Sequence, residues 1–171
     1  MSKKSALLAV KPFQETLYKS YCAPATLKML LQYYGIEKSE KELARLLGTT
    51  EKTGTTVEDF VKGLKHFGLK AKVKNYSTFK DIEKYLKKDI PVVVDWFTKG
   101  RSDDPDWFTA DGHYSIAVGL DKKYIYLQDP EIGGMRKLKR EDFLKVWFDY
   151  LGEYLKSRDQ VVIRQSIAVY R

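Results

Sequence analysis

Apolar positions change their period partway along the chain. Leu27, Leu30, Leu31 and Tyr34 recur at helical spacing behind Tyr21-Cys22-Ala23-Pro24. Pro24 suits a first helical turn, where its missing N–H has no intrahelical partner to lose. Gly35 stops this helix as a left-handed cap. Ser39 with Glu42 makes a capping box for a second helix, which carries Leu43, Leu46 and Leu47 and ends at Gly48. Thr55 with Glu58 predicts the start of a third helix, with Val57, Phe60, Val61 and Leu64 on one face and Gly68 at its end. A short fourth helix is predicted from about Thr78 to Leu86.

Beyond residue 90 the pattern turns to strands. Ile90 to Trp96 is a continuous apolar run of buried-strand type. His113 to Leu120 and Tyr124 to Asp129 read as a hairpin around Asp121-Lys122-Lys123. Met135 to Leu138 reads as a short strand, Glu141 to Tyr150 as a helix and Val161 to Tyr170 as a final strand. Helices on one side of a mainly antiparallel sheet give an α+β fold. No repeat, low-complexity segment or Pro/Ser-rich linker divides the chain. Its 171 residues, 43% hydrophobic, are enough for a single domain, 1–171, with its own core. Phe97 to Gly112 is a long loop of Gly, Pro, Asp and aromatic residues, and loops of that length inside a compact domain are often functional.

Composition narrows the chemistry. There are 31 Lys and Arg against 23 Asp and Glu, a net charge of +8. A basic excess invites an acidic partner such as nucleic acid or an anionic membrane. Here the cations sit beside acids, as in Glu37-Lys38-Ser39-Glu40-Lys41-Glu42, which reads as a solvated face, and no nucleic acid is expected. One cysteine, Cys22, permits no intrachain disulfide and no four-cysteine zinc site. With only His66 and His113, a histidine-rich metal cluster is excluded too, and no cofactor or metal is expected. The apolar run Ala6-Leu7-Leu8-Ala9-Val10 is too short for an export signal or a membrane span, so the expected compartment is the cytoplasm.

Cys22 lies at a helix start, where free amides and the helix dipole favour the thiolate that acts as a nucleophile. A lone cysteine is more often a small buried hydrophobe, so a partner base decides the matter. His66 falls inside the third helix. His113 opens an apolar strand directly after Asp111-Gly112, with Ser115, Ala117 and Gly119 on its face. If Leu120 pairs with Tyr124, opposed residue numbers sum to 244 and His113 faces Glu131. Asp129 is then diagonal to His113, within about 7–8 Å. That register admits a nucleophile, base and orienting carboxylate in Cys22, His113 and Asp129. The Cys22 backbone N–H and the Gln14 side chain are candidate oxyanion donors. In the Phe97–Gly112 loop, Trp107 and Phe108 are candidates to shape the substrate site, with Gly112 and Ala23 beside the two reactive residues; a surface loop pinned by its aromatics is the plainer alternative.

Together these pieces resemble the bacteriocin-processing cysteine peptidase family, which cuts double-glycine leader peptides and is a branch of the papain-like superfamily. The matching stretches are Gln14, Tyr21 to Leu27, Gly112 to Gly119, Leu127 to Pro130 and the closing Phe143–Trp147 helix. The likeness spans about residues 10–149 and leaves 150–171 as a C-terminal extension. It implies a papain-like fold with N-terminal helices packed on a mainly antiparallel sheet. It also implies Cys22 as nucleophile, His113 as general base, Asp129 orienting His113, and Gln14 in the oxyanion hole. A peptide or protein substrate follows. The family commonly has Gly after the cysteine, whereas this chain has Ala23, whose methyl narrows the substrate channel or shifts the helix start. A non-catalytic peptide-binding domain with the same cleft and a papain-like acyltransferase remain open as alternatives.

Overall fold

The computed structural model describes residues 7–17, 21–51, 54–98, 112–150 and 155–171. Three helices come first: α1 (Cys22–Tyr33), α2 (Glu40–Leu47) and α3 (Val57–His66). Then follow β1 (Lys70–Lys74), α4 (Phe79–Leu86), β2 (Val92–Phe97), β3 (Gly112–Leu120), β4 (Tyr124–Asp129), β5 (Gly134–Lys139) and α5 (Arg140–Val146). Strands β6 (Phe148–Tyr150), β7 (Val161–Ile163) and β8 (Ser166–Tyr170) close the chain. Six strands form one sheet in the order β1-β8-β2-β3-β4-β5, and β6 pairs with β7 in a small ribbon. Every ladder among the described residues is antiparallel. The arrangement is α+β.

Helix starts follow local chemistry. Ser39 and Glu42 cap α2 reciprocally, and Gly48 at φ 65° ends it in the left-handed region. At α3 the cap is Thr56 with Asp59, one residue later than Thr55 with Glu58. Both pairs fit the capping pattern, but the Thr55 hydroxyl is engaged by Thr49 Oγ1 at 2.6 Å.

The helices cover both faces of the sheet, not one. Phe60 of α3 packs edge-on against Tyr114 at 5.1 Å between centroids. Trp96, which alternates to the other face from Asp95, meets Phe143 of α5, and Phe79 of α4 packs with tilted rings against Phe143 and Trp147. The two sides share a core that includes fully buried Leu27, Leu30, Phe60, Trp96, Ile116 and Phe143.

Three further elements differ from the periodicity. β1 has only Ala71 and Val73 as apolar residues and lies largely exposed at the sheet edge, so its strand character comes from backbone pairing with β8. The helix after Arg140 stops at Val146, because buried Trp147 turns to donate its Nε1–H to Gln165 O at 3.0 Å, and Phe148–Tyr150 pair as a strand. The apolar run 161–170 breaks at Arg164, at φ 48°, into β7 and β8. β8 then inserts between β1 and β2, so the C-terminal segment supplies an interior strand of the main sheet.

Candidate active site

Cys22 opens α1 and is half-buried. No side chain caps this helix, and its first turn holds no acid. Pro24 lacks an N–H, so the amides of Cys22 and Ala23 are the ones a helix start offers to an anion. The helix is fixed to the sheet by Thr26 Oγ1, which donates to Tyr114 O at 3.2 Å. That anchor lies one residue from His113 on β3 and brings the helix start to the strand start. The Cys22 side chain is close enough to His113 to favour its charged form.

On its other side, His113 Nε2 meets Asp129 Oδ1 at 2.6 Å, which leaves Nδ1 for the sulfur. His113 is buried, 6% exposed, with the Trp96 ring 5.8 Å away and nearly edge-on. Trp96 is held in turn by Nε1–H donated to Ser115 Oγ at 3.0 Å. Burial alone would strip the imidazole of its proton. The Asp129 charge and hydrogen bond, with those of Cys22, outweigh it and hold His113 well above its ordinary value. Asp129 is fully buried; desolvation pushes it up, but His113, Arg136 and the Glu131 N–H pull it far below the carboxylate range. The two form an imidazolium–carboxylate pair.

Asp129 is held at both oxygens. Oδ1 also accepts from Glu131 N at 2.9 Å, and Oδ2 accepts from Arg136 Nε. The same guanidinium donates through Nη2 to Glu131 Oε2 at 2.5 Å. Ligand atoms of His113, Asp129 and Glu131 lie within 4.8 Å of one another, the spacing of a metal cluster. Arg136 occupies both carboxylates, and that donor set does not suit a cation.

Gln14 lies on an exposed strap that docks on the turn after Asp129. Its Nε2 donates to Glu131 O at 3.1 Å, and Glu15 N donates to Pro130 O at 2.8 Å. Gly133 lets the strap approach: a Cβ there would sit 2.5 Å from Gln14 Cβ. One amide hydrogen of Gln14 is thereby committed to Glu131, which orients the second.

The remaining candidates separate. Ala23 is 2% exposed, and its methyl packs into the core. Gly112 is half-buried and leaves space for Asp149, whose Oδ2 lies 1.8 Å from where a Cβ would stand. Trp107 and Phe108 lie outside the described residues. Arg136, Glu131, Trp96 and Glu15 belong to the site and carry no motif in the sequence. The one available cue for Arg136 is a cation that the alternation of β5 turns inward, buried where its neighbours Met135 and Lys137 are exposed.

A model of the Peptidase_C39-like family matches residues 7–154. An uncharacterized protein of Methanothermobacter thermautotrophicus is 29% identical over 135 residues, covering 75% of this chain and 78% of its own length. The pediocin PA-1 transport/processing ATP-binding protein PedD of Pediococcus acidilactici is 28% identical over 127 residues, 74% of this chain but 16% of that protein. Among solved structures, the peptidase domain of Streptococcus ComA, a bifunctional ABC transporter, superimposes with a TM-score of 0.66 at 18% identity, covering 94% of this chain and 98% of that one. A double-glycine-motif protease from an AMS/PCAT transporter, solved with its leader peptide, gives 0.65 at 21% identity, with 99% and 96% coverage. These superpositions show the papain-like fold of C39 peptidase domains. Among the described residues no helix is long and apolar enough to cross a membrane.

Proposed function

The chain belongs to the Peptidase_C39-like family, and we propose that it is a cysteine peptidase or amide hydrolase working through an acyl-enzyme on Cys22. The observation that supports the reading is His113, paired through Nε2 with Asp129 at 2.6 Å and held in its charged form in part by the Cys22 side chain. In this mechanism the Cys22 thiolate attacks a peptide carbonyl, and the carbon–sulfur bond forms as the carbonyl becomes an oxyanion. The Cys22 N–H and the free amide hydrogen of Gln14 receive that charge. Imidazolium His113 gives its proton to the departing amine as the C–N bond breaks, leaving a thioester. Neutral His113 then takes a proton from water, whose oxygen attacks the thioester and releases the acid and Cys22. Asp129 keeps the ring oriented throughout. The substrate in this reading is a cytoplasmic peptide or protein. The AMS/PCAT protease, solved in complex with its leader peptide, supports a peptide substrate for this chain.

Alkylation tests the premise, because Cys22 is the only thiol in the chain. Iodoacetamide labelling at pH 7 is expected to run at least about 10-fold faster in the wild type than in His113→Ala, because the imidazolium favours the reactive thiolate. Equally slow labelling of both proteins marks an ordinary thiol and overturns the reading in favour of a non-catalytic peptide-binding domain.

A further inference from the structure

The strap bearing Gln14 also carries an acid that the mechanism leaves unused. Gln14 is tied to Glu131 on one side of it. On the other side, Thr16 N donates to Glu40 Oε1 at 3.1 Å and Thr16 Oγ1 to Glu40 Oε2 at 2.6 Å. Glu15 itself is pinned by its N–H to Pro130 O, directly after Asp129. The strap thus carries Glu15 between its ties to the Pro130–Glu131 turn and to Glu40. Glu15 Oε2 is enclosed and has no hydrogen-bond partner.

Among the described residues, the charges that act on Glu15 are His113 from β3, which favours its ionisation, and Glu131 and Asp129 from β4 and the following turn and Glu40 from α2, which oppose it. Arg136 on β5 belongs to the same cluster, but its guanidinium already bridges Asp129 and Glu131. His113 is likewise engaged by Asp129 and Cys22. Among the described residues, no Lys or Arg acts on Glu15.

We propose that Glu15, whose enclosed and unpartnered carboxyl is carried by the strap pinned to the turn after Asp129 and to Glu40, is a positioning residue that acts through the His113–Asp129 pair and governs the alkaline behaviour of the site. Its kinetic consequence rests on the hydrolase reading above; its ionisation does not. Burial lifts the Glu15 carboxyl from 4.5 to about 8; His113 pulls against that, while Glu131, Asp129 and Glu40 add to it. Once ionised, Glu15 makes His113 hold its proton more tightly and opposes the oxyanion that forms on substrate. Folding feels the same titration. Between the ordinary value of 4.5 and about 8, the unfolded chain has released a proton that the folded one keeps, so stability falls as pH rises through that window.

The full chain tests this without substrate. Carbon-13 spectra of the glutamate carboxyls and nitrogen-15 spectra of the two histidine rings would be followed from pH 5 to 10, in the wild type and in Glu15→Gln. The expected result is a Glu15 carboxyl titrating near 8 and an inflection of the His113 ring at the same pH, absent from the variant. Acylation of Cys22 by a p-nitrophenyl ester should fall across that pH range in the wild type more steeply than in Glu15→Gln. A Glu15 carboxyl titrating near its ordinary value overturns the proposal, and so does a His113 inflection that persists in Glu15→Gln. Should the variant fail to fold, the wild-type carboxyl titration alone decides. A Glu15 carboxyl titrating near 8 in a protein whose Cys22 never acylates would sink the hydrolase reading and leave the charge state standing.

Discussion

Gly133→Ala is the sharpest probe of how the strap places Gln14. Gly133 sits at φ 60°, and an added Cβ would meet Gln14 Cβ at 2.5 Å and the Gln14 Cα and N at 3.2 Å. Restoring ordinary contact moves the Gln14 side chain by about 1 Å, a shift that in catalytic groups costs about 10²-fold in rate. A left-handed alanine costs about 1–2 kcal/mol. Against a total stability of about 5–15 kcal/mol the protein stays folded. Two reactions at the same sulfur separate the effects. Acylation by a p-nitrophenyl ester builds an oxyanion, whereas alkylation by iodoacetamide does not. Gly133→Ala is expected to slow acylation about 10²-fold and leave alkylation within about 3-fold. Gln14→Ala should slow acylation by about 10²–10³-fold, and adding Gly133→Ala to it should cost little more, because both act on one donor. Equal losses in the two reactions would show damage to Cys22 or to the fold. Additive losses in the double variant would show that Gly133 does not act through Gln14. Either result refutes the account.

Two further outcomes are expected. Arg136→Met keeps the buried aliphatic volume but leaves Asp129 Oδ2 without its guanidinium, so stability at pH 7 should fall by about 3–5 kcal/mol in urea titrations. Because Asp129 is held ionised in the folded state, the deficit should narrow at acid pH as Asp129 gains a proton; a difference that is constant with pH would place the loss elsewhere. Thr56→Ala should lower stability by about 1 kcal/mol through loss of the α3 cap and leave Cys22 alkylation unchanged, which thermal unfolding and labelling together check.

Much of the fold is legible where one residue both names an element and satisfies it. Ser39 and Glu42 bond each other at the start of α2 whether or not anything packs on the helix, so local chemistry suffices. Where two local solutions compete, tertiary contact chooses: Thr49 claims the Thr55 hydroxyl, and Thr56 is left to cap α3. β1 is the opposite case. Its five residues Lys70-Ala71-Lys72-Val73-Lys74 bury little, and it is a strand because β8, some ninety residues later, pairs with it. A pairing partner that distant leaves no mark in local periodicity.

The hairpin carrying His113 and Asp129 shows how a wrong local register can still give the right neighbours. Near the turn, Leu120 pairs with Ile125, not Tyr124, because Asp121 closes a longer turn by accepting the N–H groups of Lys123 and Tyr124, both at 2.8 Å. One residue is then absorbed by a bulge between Ala117 and Gly119, where the Val118 carbonyl turns to accept Leu8 N–H at 2.8 Å. Beyond the bulge, Ala117 pairs with Leu127 and Ile116 with Gln128, the register of the simple hairpin, and Asp129 arrives beside His113. Nothing comparable announces Arg136 or Glu15. Each is a charged residue in an ordinary polar stretch, and its surroundings come from three or four separate elements. Cys22 and His113 stand out because the chemistry proposed for them requires a particular place on a helix or strand. The groups that set their charge require only proximity, which the folded chain alone supplies.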